Sequence, residues 1–125
     1  MARILIVEDN PDNLLLAVLL LESAGHVVIS AVSAEAGLAM AREQLPDLIL
    51  MDIQLPGMDG LEATALLKRD AATLAIPVIA LTALAMNGDE ARIRAAGCDG
   101  YISKPMSARP FLATVAAQLL VKPAL

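Results

Sequence analysis

The chain of 125 residues reads as an α/β fold on a doubly wound parallel sheet. Three observations predict this. Short apolar runs alternate with longer stretches of helical character, the pattern of strands joined by crossover helices. Two of the runs, Leu48-Ile49-Leu50-Met51 and Val78-Ile79-Ala80-Leu81, are nearly continuous in apolar residues, as expected for strands covered on both faces. Four runs end on polar residues: Glu8-Asp9, Asp52, Thr82 and Lys104-Pro105. Strands are expected at 3–8, 27–31, 47–52, 77–81 and 100–102. Right-handed crossovers turn five such βα units into one open sheet, a single domain over residues 1–125.

The first strand enters directly from Met1-Ala2-Arg3, with too few apolar residues for a signal peptide. Asn10-Pro11 then sets a capping side chain before a proline at the first helical position. Gly25 ends that helix in a left-handed cap, and His26 is a loop residue beyond it. Ser33 caps the second helix, with Glu35 in its first turn. Asp47 begins the third strand. Asp59 and Glu62 have the spacing of a capping box at the third helix, and Asn87 and Glu90 repeat it at the fourth, which Gly97 ends. Ser107 starts the fifth helix, where Pro110 still lies in the first turn and loses no hydrogen bond. Leu112, Val115, Ala116 and Leu119 recur at i, i+3, i+4, i+7 and are expected to face the sheet.

Composition excludes several functions. The chain is 58% hydrophobic but only 2% aromatic, so its core is aliphatic. A net charge of −5 and no run of Lys or Arg argue against nucleic acid as a partner. The longest apolar stretch, Leu14 to Leu21, is well short of the roughly 18–20 residues that span a bilayer, so no membrane segment is expected. A lone Cys98 forms no intrachain disulfide; it is expected to pack as a small apolar side chain in a reducing, cytoplasmic setting.

In sheets of this kind ligands bind beyond the carboxyl ends of the strands, near the switch point. Glu8, Asp9 and Asp52 converge there if the first and third strands are neighbours. Like charges about 4 Å apart repel by roughly 4 kcal/mol at an effective dielectric near 20. A divalent cation relieves that repulsion, and hard oxygen donors suit Mg²⁺ (with Mn²⁺ or Ca²⁺ as substitutes). The backbone carbonyl of Gln54 is a further candidate ligand. Asp52 is the candidate nucleophile, since a carboxylate can carry a phosphoryl group covalently. Lys104 supplies a cation, and the Thr82 hydroxyl a donor to a phosphoryl oxygen. Singly, each residue is ordinary: a cap, a turn acid, a turn hydroxyl, a surface lysine. Their joint placement at successive strand ends is not.

The blocks Ile6-Val7-Glu8-Asp9-Asn10, Leu50-Met51-Asp52-Ile53-Gln54-Leu55-Pro56-Gly57-Met58-Asp59-Gly60, Leu81-Thr82-Ala83 and Ser103-Lys104-Pro105 resemble the signature blocks of response-regulator receiver domains. With Ala85-Met86-Asn87-Gly88-Asp89-Glu90 and Gly97-Cys98 they most resemble the DivK type of single-domain regulator, within the CheY-like superfamily. The resemblance implies a flavodoxin-like three-layer (βα)5 sandwich with strand order 2-1-3-4-5. It implies Asp52 as phosphoacceptor, Asp9 as direct metal ligand, Glu8 acting through water, Thr82 and Tyr101 as a switch pair, and Lys104 as the phosphate-pairing lysine. It also implies a cis Lys104-Pro105 bond. Gln54 and Leu84 sit where the family varies and tunes dephosphorylation.

The function expected is that of a two-component phosphorelay regulator, phosphorylated by a histidine kinase or a histidine phosphotransfer protein. It would act through a downstream protein target, with no turnover beyond self-directed phosphotransfer and autodephosphorylation. Only Lys122-Pro123-Ala124-Leu125 follows the last helix, so a stand-alone receiver is expected; one excised from a hybrid kinase is the rival. An aspartyl-phosphate phosphatase would want a second acid two residues after Asp52, where Gln54 stands. A flavodoxin-like nucleotide carrier would want a Gly- or Ser/Thr-rich loop in place of Glu8-Asp9-Asn10-Pro11-Asp12. The first helix is apolar on every side, so Leu15, Leu16 and Leu19 are candidates for a surface that docks the histidine donor or a second copy of the chain. Arg92, Arg94, Tyr101 and Phe111 are candidates for the output surface.

Overall fold

The computed structural model describes residues 2–83 and 89–120, with Asp89 in its backbone alone. Five strands, β1 (Arg3–Val7), β2 (Val27–Ala31), β3 (Leu48–Asp52), β4 (Val78–Thr82) and β5 (Gly100–Ser103), alternate with five helices. These are α1 (Pro11–Ser23), α2 (Ala34–Gln44), α3 (Gly60–Arg69), α4 (Asp89–Ala95) and α5 (Ala108–Leu120). All neighbouring strands are parallel, in the order β2-β1-β3-β4-β5. Asp47 lies just before β3; its carboxylate and backbone N–H bond the backbone of Arg3 and set the register of β1 against β3.

Strand alternation sorts the core into two layers. Leu5, Val7, Ile49, Met51, Val78 and Ala80 pack with Ala34, Leu38, Ala63, Leu67 and Ile93 of α2, α3 and α4. Ile4, Ile6, Leu48, Leu50, Ile79 and Leu81 pack with Ala17 and Leu21 of α1 and Phe111 and Val115 of α5. β3 and β4 are buried along their whole length, whereas the edge strand β2 is only half covered. The three-layer sandwich expected from the sequence is present.

The caps predicted at Asn10, Ser33 and Asp59 form. Asn10 Oδ1 accepts from the N–H groups of Asp12 and Asn13, Ser33 Oγ from Ala36, and Asp59 Oδ1 from Glu62. Gly25 and Gly97 have φ of 89° and 106°. The end of α2 was not anticipated: Leu45 closes it in the left-handed region at φ 46°, an unusual conformation for a side chain of that size. His26 is a loop residue, its Nδ1 accepting from Ala2 N. Cys98 is buried, with Sγ 3.8 Å from Thr64 Oγ1, and burial pushes its thiol above the ordinary value. The Asn87 cap, Leu84 and the terminal Lys122-Pro123-Ala124-Leu125 lie outside the described residues. Among the described residues no helix is long and apolar enough to cross a membrane.

Two expectations for α5 are corrected. Phe111, expected on an output surface, is fully buried, and Ala116, expected to face the sheet, is exposed. The apolar stripe of α5 is centred on Phe111 and Val115, flanked by Leu112 and Leu119. At 100° per residue Ala116 then turns past the edge of that stripe. In a chain almost without aromatics, the one phenylalanine fills the space under α5 against Ile102 and Met106.

Candidate functional site

The polar strand ends meet at the carboxyl edge of the sheet. Val7 is opposite Met51 in the β1–β3 register, so Glu8, the next residue, continues level with Asp52. Glu8 N donates to Ala31 O at 3.0 Å, which carries the β1–β2 pairing one residue beyond β1. Lys104 N donates to Thr82 O at 2.7 Å and likewise extends the β4–β5 pairing, holding Lys104 over the site. The Lys104-Pro105 peptide bond is cis.

Glu8 is fully buried and Asp52 is 3% exposed, while Asp9 lies at the open mouth. Carboxylate oxygens of Glu8, Asp9 and Asp52 all fall within 4.8 Å of one another. Lys104 Nζ lies 2.6 Å from Glu8 Oε1 and 3.0 Å from Asp52 Oδ2, so one ammonium serves two acids. The Gln54 N–H donates to Asp52 Oδ1 at 2.8 Å, and the Asn10 N–H to Glu8 Oε2 at 3.2 Å. The sequence reading assigned Lys104 to a phosphate and missed its second partner, Glu8. No sequence signal links them, because the two residues meet only through the strand order.

The charges are unbalanced. Burial pushes the Glu8 carboxyl up to about 7, and the adjacent Asp52 adds to the shift, against the opposing Lys104 and the Asn10 N–H. Burial alone would lower the Lys104 ammonium; its contacts with Glu8 and Asp52 outweigh that and hold it above the usual value. Glu8 Oε1 is the buried side-chain oxygen that, among the described residues, has no hydrogen bond. Its approach to Nζ is an ion pair without hydrogen-bond direction. A set of hard oxygen donors, one of them buried and held by an ion pair alone, fits a small divalent cation.

Thr82 is buried on β4, and Tyr101, 36% exposed, lies on β5, where it pairs with Ala80. Strand alternation puts both on the α4 side of the sheet, the face opposite Leu81 and Ile102. Leu15, Leu16 and Leu19 are 59%, 38% and 56% exposed on α1, so neighbouring elements do not cover the outer face of this helix. Arg92 and Arg94 are exposed on α4.

A family model described as the response regulator receiver domain matches residues 4–116. The chain belongs to this family. Among its relatives, the polar-differentiation response regulator DivK of Brucella ovis is 52% identical over 116 residues, covering 93% of this chain and 94% of that protein. The receiver domain of a sensor histidine kinase from Pseudomonas aeruginosa is 33% identical, with a TM-score of 0.88 over 94% of this chain and 97% of that one. That structure is described with a magnesium ion coordinated in its active-site cleft. A CheY-like receiver domain protein from Methanospirillum hungatei is 32% identical, with a TM-score of 0.87 over 95% of this chain and 94% of that one. The receiver described here is thus a two-component signalling domain, with an acidic cluster able to hold a metal.

Proposed function

We propose that this receiver is a stand-alone, DivK-like phosphorelay regulator that takes a phosphoryl group on Asp52 from a phosphohistidine. The observation that carries this reading is the overloaded cluster: three carboxylates within 4.8 Å, two of them buried and sharing one ammonium. Such a cluster is costly by itself and becomes favourable when a cation and a phosphoryl group enter. The 52% identity to the DivK of Brucella ovis, against 33% to the receiver of the Pseudomonas aeruginosa kinase, supports the DivK-like reading.

Asp9, Asp52 and the backbone carbonyl of Gln54 would hold the Mg²⁺, with Glu8 behind them acting through water. When bound, the ion supplies neutralisation of phosphoryl oxygens and alignment of the donor. A carboxylate oxygen of Asp52 attacks phosphorus, the P–N bond breaks, and the imidazole departs with the electron pair. The Gln54 N–H on Oδ1 orients the carboxylate for this attack. Lys104, already beside Asp52, pairs with a phosphoryl oxygen, and the Thr82 hydroxyl donates to another. Drawing Thr82 toward the phosphoryl group leaves room for Tyr101 to turn inward, which biases a two-state equilibrium of the α4–β5–α5 face. Arg92 and Arg94 on that face meet the downstream protein. The exposed leucines of α1 dock the donor helix in the cytoplasm.

Incubation with Mg²⁺ and a small acyl phosphate, followed by intact mass, tests the core of this reading. One phosphoryl mass is expected on the wild type and none on Asp52→Asn. No added mass on the wild type, or equal labelling of the variant, overturns it. Leu15→Lys and Leu19→Lys are expected to slow transfer from a histidine kinase while acyl-phosphate labelling is unchanged; unchanged rates in both assays remove the docking role of α1.

A further inference from the structure

We propose that Gly60 is a positioning residue for the phosphoacceptor: the absence of a side chain there lets the first turn of α3 press against the Asp52 carbonyl and so closes the loop that holds the carboxylate. The inference rests on the reading of Asp52 as phosphoacceptor. Gly60 is buried at the start of α3. A Cβ built on it would fall 2.1 Å from the Asp52 carbonyl oxygen and 2.8 Å from Ile53 Cα. Both are backbone atoms, and Asp52 is pinned in β3 by its pairing with Leu81 and by the Ile53 N–H to Leu81 O bond of 3.1 Å. The strand cannot yield, so any side chain at this position must drive α3 away.

Retreat of α3 would open the loop. The Gly60 N–H bonds Ile53 O at 3.3 Å, closing residues 53–59 into a ring, and Thr64 Oγ1 bonds Gly60 O at 2.8 Å from the next turn. Within that ring the Gln54 N–H holds Asp52 Oδ1 at 2.8 Å. The Asp59 cap on Glu62 N anchors the other end at 2.8 Å. Gly60 does not touch the reacting atoms; it sets the loop whose backbone orients them. The glycine is required by close approach rather than by its dihedral angles, since its φ is not among the positive ones.

The test compares Gly60→Ala with Gly97→Ala, a second crowded glycine whose added Cβ would meet the Lys68 side chain far from the site. Gly60→Ala is expected to lower the rate of acyl-phosphate labelling about tenfold or more, the scale of effect that a misplaced reacting group produces. It should also weaken Mg²⁺ binding, read by calorimetry without any donor. Gly97→Ala is expected to lower Tm and leave both unchanged. Should Gly60→Ala fail to fold, Asp59→Ala loosens the same turn and is expected to slow labelling, while Asp59→Asn, which keeps a capping oxygen and loses the charge, restores the rate. Labelling and Mg²⁺ affinity at wild-type level in Gly60→Ala, or in Asp59→Ala when the first does not fold, overturn the proposal. A wild type that does not label at all refutes the phosphoacceptor reading instead.

Discussion

Two lysine–aspartate pairs with the same N–O distance of 3.0 Å stand at opposite ends of the sheet. At the amino end, Lys68 Nζ bonds Asp99 Oδ2 together with the carbonyls of Ile76 and Leu74. Asp99 Oδ2 also accepts from Val78 N, and Gln118 of α5 donates to Asp99 O. Each charge there has a counter-charge and further polar partners, so the pair works as a staple joining α3, β4, β5 and α5. At the carboxyl end, Lys104 divides itself between Asp52 and Glu8, and a buried oxygen of Glu8 has no hydrogen bond. The difference is one of balance, not of distance: a satisfied pair holds a fold together, while an unsatisfied cluster stores affinity for an ion.

The widest separation between the two ends is expected from neutralising their acids. Asp52→Asn abolishes acyl-phosphate labelling, whereas Asp99→Asn labels at the wild-type rate; intact mass reads both, and slow labelling of a folded Asp99→Asn would break the contrast. Next come the lysines, compared by denaturant unfolding without metal. Removing Lys104 as Lys104→Met leaves two acids face to face and is expected to cost roughly 2–3 kcal/mol, below the figure for a fully buried pair because Glu8 can take up a proton. Lys68→Met loses an ion pair and two carbonyl bonds, but Asp99 stays in contact with water and bonded to the Val78 N–H, so the expected cost is about 1–2 kcal/mol.

Mg²⁺ sharpens the comparison further. At ten times its dissociation constant it is expected to stabilise the wild type by about 1.4 kcal/mol, and Lys68→Met by the same amount, with Asp52→Asn much less responsive in thermal melts. The two ends are also expected to differ in pH dependence. The folded-state value of Glu8 lies near 7, above the ordinary 4.5, so the folded protein holds this proton more tightly than the unfolded chain. That contribution is present in full below about 4.5 and is lost as pH rises through about 7. Metal-free stability should therefore decline across this window. Glu8→Gln should flatten the decline and Asp99→Asn should leave it in place, as followed by urea midpoints at several pH values.

Much of this was legible in one dimension. Asn10, Ser33 and Asp59 cap their helices because capping is local: the side chain bonds an N–H two or three residues away. Glu8, Asp9, Asp52, Thr82 and Lys104 could be grouped because a parallel sheet brings the ends of its strands to one edge. The misreadings concern facing. Phe111 and Ala116 were assigned opposite surroundings to those they have, since a helix with apolar residues on several sides does not state which side meets the sheet. Leu45 in a left-handed cap has no local signal of the kind a glycine supplies. The Lys68–Asp99 staple joins residues 31 apart in the chain, and neither is marked by a motif.

The sequence by itself determined the number and kind of elements, their caps and the set of residues at the carboxyl edge, because these follow from periodicity and from short-range hydrogen bonds. Only the tertiary structure decided how the charges are shared: that Lys104 bridges Glu8 and Asp52, that Glu8 is the deeply buried acid and Asp9 the one at the mouth, and that α3 lies so close to Asp52 that residue 60 has to be glycine. Those outcomes depend on distances between strands and helices far apart in the chain, and packing alone sets such distances.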